Sequence, residues 1–151
     1  MMTEIIKANT DDDKILTEIT KRSKAYWGYS EEQMSRWSDL LTITSEYIDK
    51  NQVYKLIVNQ SIIAYYSYFE IENKNVRLDN LFVSPEYIGK GYGKLLMNDF
   101  ILKIKQSEKI RIILDADPNA QKFYESFGFI KIGESETSVK DRFLPIMEHK
   151  L

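Results

Sequence analysis

The sequence of 151 residues predicts an α/β fold, α+β by some schemes: a mixed, mostly antiparallel central sheet with one bulged, splayed strand and flanking helices. Three observations predict it. Strand-like and helix-like periodicities follow one another in the order β, α, α, β, β, β, α, β, α, β, β, with no repeat, linker or low-complexity segment. Three successive strands are separated only by short turns, which predicts an antiparallel meander. The third of these strands slips phase by one residue, then enters a loop with glycine at every second position and a helix. A chain of this length is the size of one ordinary domain and buries one core without staples, so residues 1–151 are expected to form a single domain.

Ile5-Ile6-Lys7-Ala8 is short and apolar and reads as the first strand. Residues 10–13, Thr-Asp-Asp-Asp, supply caps and first-turn acids to a helix that carries Ile15, Leu16, Ile19, Ser23 and Tyr26 on one face. That helix ends around Trp27-Gly28-Tyr29. Ser30-Glu31-Glu32-Gln33 then forms a capping box for a second helix bearing Met34, Trp37 and Leu41. Thr44-Ser45-Glu46-Tyr47-Ile48 adds a short helical turn. The runs at 53–58 and 62–71 are rich in Val, Ile, Tyr and Phe, and Asn73-Lys74-Asn75 leads into the third strand of the meander. There Val76 and Leu78 keep one beat and Leu81 and Val83 the other, a slip that predicts a β-bulge near Asp79-Asn80. Leu96, Met97, Phe100, Ile101 and Ile104 mark an amphipathic helix, and 110–114 the next strand. Asp117 as N-cap with Pro118 behind it starts a short helix filled by Ala120, Phe123, Tyr124 and Phe127, which Gly128 stops. Strands at 129–132 and 143–147 complete the sheet, and Pro145 assigns the last one to an edge or a bulge.

Composition narrows the chemistry. The chain has no cysteine, which excludes disulfides, zinc–thiolate sites and a cysteine nucleophile. Its 21 Lys and Arg against 23 Asp and Glu are scattered, so no basic stripe points to nucleic acid. No apolar run approaches the ~18 residues of a membrane span. With no signal peptide to direct it elsewhere, a cytoplasmic location is expected. The single histidine, His149, reads as a solvated end-strand residue, so neither a Ser-His-Asp triad nor a histidine metal site is expected.

The chemistry concentrates in Leu78-Asp79-Asn80-Leu81-Phe82-Val83-Ser84-Pro85-Glu86-Tyr87-Ile88-Gly89-Lys90-Gly91-Tyr92-Gly93-Lys94. Glycines at 89, 91 and 93 remove the Cβ atoms that keep an anion from the backbone. A helix beginning near Lys94 adds its N-terminal N–H groups and the positive end of its dipole, so a pyrophosphate would fit there. It is not a P-loop, because Gly93-Lys94 is followed by Leu95 and offers no hydroxyl for magnesium. Nor is it the dinucleotide fingerprint, whose spacing is G-x-G-x-x-G near the start of a βαβ unit. By itself the spacing also suits a plain strand-to-helix turn.

Strand, bulge, glycine loop and helix together resemble motif A of the GNAT acetyltransferase superfamily, and the chain as a whole resembles a small, bacterial-type, single-domain member. Ile88-Gly89-Lys90-Gly91-Tyr92-Gly93 matches the pattern Gln/Arg-x-x-Gly-x-Gly/Ala except that Ile88 replaces Gln or Arg, which removes one side-chain contact and leaves the backbone amides. Residues 119–129 resemble motif B, with Ala120, Tyr124 and Gly128-Phe129 in register, about 30 residues downstream as in the family. The resemblance implies acetyl-CoA as cosubstrate and no metal. It implies that Gly89, Gly91 and Gly93 with the amides of Lys90, Tyr92 and Lys94 hold the pyrophosphate. It also places the backbone of Leu81, Phe82 and Val83 along the pantetheine arm, Phe123 at coenzyme A, and Tyr124 as the acid that protonates the departing thiolate; the register puts Asp117 where the family's coenzyme A-binding asparagine stands, so Asn119, two residues later, is taken for that contact and Asp117 for the cap. A phenol of pKa about 10 suits that role, being neutral at pH 7 while a thiolate of pKa about 8.5 leaves.

The implied reaction is transfer of the acetyl group to a small primary amine or a peptide amine by direct attack in a ternary complex. The alternative on the same fold is a non-catalytic coenzyme A-binding sensor or interaction module. An alkyl amine of pKa about 10.4 is only ~0.04% neutral at pH 7, a deficit of about 4.6 kcal/mol that a base must make up. With no histidine placed to serve, Asp79 at the expected bulge is the first candidate; the other reading of Asp79 is that it satisfies bulge N–H groups and a water chain is the base. Trp27 and Tyr29 are expected to form an aromatic wall for the amine. Partners beyond the two substrates are not implied: no nucleic acid, no membrane, and a monomer or homodimer.

Overall fold

A computed structural model describes residues 2–137 and 142–151. Its strands are β1 (Thr3–Lys7), β2 (Gln52–Val58), β3 (Ser61–Ile71), β4 (Asn75–Val83), β5 (Arg111–Asp115), β6 (Ile130–Glu136) and β7 (Phe143–Lys150). They form one seven-stranded sheet in the order β1-β2-β3-β4-β5-β7-β6. β4 and β5 run parallel, whereas β1–β2, β2–β3, β5–β7 and β6–β7 are antiparallel. The helices are α1 (Asp13–Tyr26), α2 (Glu31–Arg36), α3 (Ser45–Lys50), α4 (Tyr92–Gln106) and α5 (Gln121–Glu125). The mixed, mostly antiparallel sheet with flanking helices is the predicted architecture. The chain divides into two compact units, Met1–Tyr68 with Asn80–Lys103, and Phe69–Asp79 with Ile104–Leu151.

In the first unit α1 buries Leu16 and Ile19 against Ile48 of α3, Val53 of β2 and Tyr65 of β3. Each such side chain contributes on the order of 1.5–3 kcal/mol by leaving water. Polar groups inside this packing are all committed. Thr20 bonds both the Leu16 carbonyl and the Tyr65 hydroxyl, and Lys55, 5% exposed, is neutralised by Asp12 at 2.7 Å. Tyr54, Tyr66 and Tyr68 stack on one sheet face, with centroids 5.4 Å apart for the first two and 6.2 Å for the last two. α4 closes over them: Phe100 packs on Tyr66 and Tyr68, Asp99 accepts from the Tyr66 hydroxyl at 2.7 Å, and the Lys103 ammonium lies 4.3 Å from the Tyr54 ring centre.

Helix ends differ in detail from the sequence reading. Ser30 caps α2 by accepting from Gln33 N–H as expected, but α2 stops at Arg36. Trp37, read as a mid-helix residue, is its buried C-cap, and Leu41 follows in a turn. The turn at 44–48 matures into α3, with the Thr44 side chain as its cap.

In the second unit β4 pairs with β5 over Asn75–Arg77 and Arg111–Ile113. β5 pairs along its length with β7 from Arg111↔Lys150 to Asp115↔Ile146. Pro145 was expected to mark an edge or a bulge: β7 lies between β5 and β6 and the edge falls to β6, while the β6–β7 register shifts between Lys131 and Gly133, next to the Glu134–Pro145 pair. The physical reason is position: the β5 ladder ends opposite Ile146, and the Pro145 carbonyl accepts from Ala116 N–H at 2.8 Å just beyond it. The N–H that proline lacks would point to the same side, past the last paired residue of β5. α5 is also shorter than predicted. Asp117 caps a 3₁₀ turn at Pro118–Ala120 by accepting from Asn119 N–H, α5 then covers five residues, and Phe127 lies past its end. His149 is half-buried rather than solvated, its ring against Phe129 and its Nδ1 3.2 Å from the Gly128 carbonyl oxygen.

Candidate active site

The burial alternation of β4 holds through Val76 and Leu78, breaks at the exposed Asp79, and gives way to four half-buried residues, Asn80, Leu81, Phe82 and Val83. Phe82 packs toward the first unit's core, its ring 6.1 Å from that of Tyr65. The strand then turns at Ser84-Pro85. A 3₁₀ turn over Pro85–Tyr87 leads to Ile88 and the glycines.

Gly89 and Gly91 take φ values of +84° and +86°, and nothing lies within 4 Å of where a Cβ would stand on either. The conformation requires glycine, and the open space on its outer side is what a backbone-held anion needs. Gly93 is different. α4 begins at Tyr92, two residues earlier than predicted, so Gly93 has right-handed helical backbone inside the first turn and contributes to the helix start instead of the loop. The Gly91 carbonyl accepts the first intrahelical bond, from Leu95 N–H at 3.1 Å, which makes Gly91 the N-cap and Tyr92, Gly93 and Lys94 the first-turn residues. Lys90 and Lys94 are exposed at the same end.

The loop is anchored by residues whose partners periodicity could not give. Ser23, buried on α1, donates to the Val83 carbonyl at 2.6 Å. Its neighbour in α1, Arg22, holds Ser84 and Glu86, and Ser84 donates to Glu86 at 2.7 Å. The signal available in the sequence was Ser23 on the apolar face of α1, where an alcohol has no apolar reason to be. A second cluster was likewise missed: Asn80 bonds Ser67 and Tyr47. Here the clue was one amide directly before the apolar run Leu81-Phe82-Val83.

The aromatic elbow is split between partners. Trp27 is 46% exposed and meets only Tyr26 among the ring pairs, edge-on. Tyr29 packs edge-on against Trp37 at 4.9 Å, with the Lys24 ammonium 5.6 Å from its ring centre. These residues, with Leu81–Val83 and the glycine loop, belong to the first unit, while Asp79, Asn119, Phe123 and Tyr124 belong to the second.

In the second unit Tyr124 is buried on α5 among Phe123 and Phe129, both edge-on to it. Burial pushes its phenol well above the ordinary tyrosine range, and the nearby Asp117 charge adds to the rise. The hydroxyl therefore stays protonated at neutral pH and above and holds its proton more tightly than a solvated phenol does. Asp117 is occupied as a cap, accepts from the Asn119 side-chain amide at 3.0 Å, and pairs with Arg142 at 3.5 Å. The reading of Asp117 as cap holds.

Sequence comparison decides the family. The family model described as an acetyltransferase (GNAT) domain matches residues 27–149. The chain belongs to the GNAT acetyltransferase family. Among curated GNAT relatives, the uncharacterized N-acetyltransferase YafP of Escherichia coli K12 is 32% identical over 102 residues, 67% of this chain and 61% of the relative. The uncharacterized N-acetyltransferase ycf52 of Porphyra purpurea is 35% identical over 57 residues, 38% of this chain and 33% of the relative. The chain thus spans between a third and three-fifths of those two proteins. Among solved structures, the PaiA N-acetyltransferase of Thermoplasma acidophilum in complex with coenzyme A superposes with a TM-score of 0.81 at 22% identity, covering 100% of both chains. That likeness establishes the GNAT fold for this sheet and its helices.

Proposed function

We propose that this GNAT chain is an acetyl-CoA-dependent N-acetyltransferase that acetylates a primary amine by direct attack in a ternary complex. The observation that carries the reading is the loop at Gly89 and Gly91. Both are left-handed with open space at the Cβ positions, and they feed the N-terminus of the 15-residue helix α4. A diphosphate-bearing cosubstrate fits such a cradle, with Gly89, Lys90, Gly91, Tyr92, Gly93 and Lys94 as its holders. The helix dipole and first-turn amides supply the attraction, and Ser23, Arg22 and Glu86 fix the loop's approach.

Acetyl-CoA supplies an activated acyl carbon: the amine nitrogen bonds to it, the C–S bond breaks, and the products are an amide and a thiolate. The chain supplies two proton positions. Tyr124 gives its phenolic proton to the thiolate. The amine must lose one proton in exchange, and Asp79, exposed where the burial alternation of β4 is interrupted, takes it directly or through water. Backbone N–H groups of Leu81, Phe82 and Val83 polarise the acetyl carbonyl. Asn119 and Phe123 contact coenzyme A, and Trp27 presents an indole to the acceptor.

Two measurements test the reading. Calorimetric titration with acetyl-CoA is expected to show one saturable site, and release of free thiol over a panel of primary amines is expected to show turnover. A chain that does not bind acetyl-CoA has another function. One that binds it without acetylating any amine is a coenzyme A sensor.

A further inference from the structure

The second half of β4 holds one polar side chain, Asn80, and the structure takes trouble to fix it. Asn80 Nδ2 donates to Ser67 Oγ at 2.9 Å and to Tyr47 Oη at 3.3 Å, and the two hydroxyls bond each other at 2.8 Å. Ser67 on β3 is fully buried and Tyr47 on α3 is half-buried. Around them the packing is apolar: Tyr47 and Phe82 both lie against the cluster of Leu16, Ile19, Ile48 and Val53. An amide, an alcohol and a phenol set into such a wall are desolvated at a cost that three apolar groups would avoid, so their use is geometric specificity rather than stability.

The geometry that results is specific. Every side-chain hydrogen bond Asn80 makes among the described residues runs through Nδ2, which sets the plane of the carboxamide. Its Oδ1, on the other side of the amide carbon, keeps its full capacity to accept. Asn80 is half-buried and immediately precedes Leu81–Val83. We propose that Asn80, held by Ser67 and Tyr47, orients the incoming primary amine by accepting one of its N–H groups at Oδ1. This inference rests on the acetyltransferase reading above and assigns its acceptor subsite.

The neutrality of the cluster matters to the chemistry. A carboxylate at this position would favour the ammonium form of the acceptor and hold back the neutral amine that attacks. An amide oxygen directs the nitrogen without that penalty. The cluster therefore selects for an acceptor with at least two N–H bonds, one to be held and one to be lost, which is a primary amine.

The test uses the full chain, saturating acetyl-CoA, and three acceptors: butylamine, lysine and a tripeptide with a free α-amino group. For whichever is turned over, Asn80→Ala is expected to raise the acceptor KM by about 10- to 100-fold, the range for a lost hydrogen bond to a charged or polarised group, with the acetyl-CoA Kd within about twofold of wild type. Ser67→Ala, which frees one anchor but keeps the amide, is expected to raise KM by a smaller factor and covers the case in which Asn80→Ala does not fold. Asn80→Asp restores an acceptor oxygen and is expected to recover KM while moving the pH–rate profile to higher pH, a change that a merely structural residue would not produce. Wild-type turnover with acceptor KM unchanged in the folded variants overturns the role of Asn80 alone. Acetyl-CoA binding without acetylation of any of the three amines overturns the transfer reading and this subsite with it.

Discussion

Tyr66 and Tyr124 are both buried phenols whose pKa is raised, Tyr66 by burial first and then by its bond to the Asp99 carboxylate, Tyr124 by burial first and then by Asp117. In the unfolded chain they ionise near pH 10, while in the folded protein they hold their protons. Above about pH 10 the unfolded state therefore binds fewer protons, and stability falls as pH rises, by up to about 1.4 kcal/mol per pH unit for each phenol. Below that pH both states are protonated and the contribution is constant. Urea titrations from pH 8 to 11 are expected to show this fall, and Tyr66→Phe to remove about half of the slope that the two phenols produce. Tyr124→Phe is expected to lower kcat by about 10- to 1,000-fold with little change in the acetyl-CoA KM, the usual range for a lost general acid. Equal kcat in that variant would make Tyr124 a packing residue. For Asp79→Asn the expected loss of kcat is largest near pH 7 and vanishes as pH approaches the amine pKa of about 10.4, because at that pH the amine needs no base. A pH–rate profile parallel to wild type would assign the base to water. At this scale the sequence singled out Tyr124 through its place in a motif. It left Asn80 and Ser23 unread, because their roles depend on which strand and helix face them.

The loop and α4 work as one element. Gly91 is both the left-handed turn residue and the N-cap of α4, so Gly91→Val forces a β-branched side chain into φ of +86° at the point where the anion must approach. The expected outcome is a loss of acetyl-CoA affinity greater than about tenfold with the fold retained. The strain is of the order of 1–2 kcal/mol, small beside the stability of a domain. Calorimetry on a variant whose circular dichroism matches wild type checks it, and normal binding would discard the cradle. The glycine spacing was visible in the sequence, but the start of α4 was not. Gly93 looked like a third loop residue because glycine is a poor helix former, and only the tertiary packing of Leu96, Met97 and Phe100 shows the helix extending back over it. Helix ends elsewhere slipped for the same reason, as at α2, where Trp37 is buried by tertiary contacts after the helix has stopped.

The whole molecule offers a readout that does not depend on knowing the acceptor. A ligand that binds only the folded state stabilises it by about 2.7 kcal/mol at 100 times its Kd. For a chain of this size about 1 kcal/mol corresponds to roughly 2–4 °C, so saturating acetyl-CoA is expected to raise Tm by about 5–10 °C. The Gly91→Val protein is expected to show no such rise. A shift of equal size in both would place binding away from the loop.

The sequence by itself determined the order of elements, the meander, the glycine loop, the two motifs and the caps at Ser30 and Asp117. These are written in periodicity and in local backbone chemistry, which act over a few residues. Tertiary structure alone decided that β7 lies inside the sheet despite Pro145, since that depends on where β5 ends. It decided that His149 packs on Phe129, that Ser23 and Arg22 anchor the loop, and that Ser67 and Tyr47 aim Asn80. Each of these joins residues distant in the chain, and no periodicity carries the identity of a partner that only folding brings near.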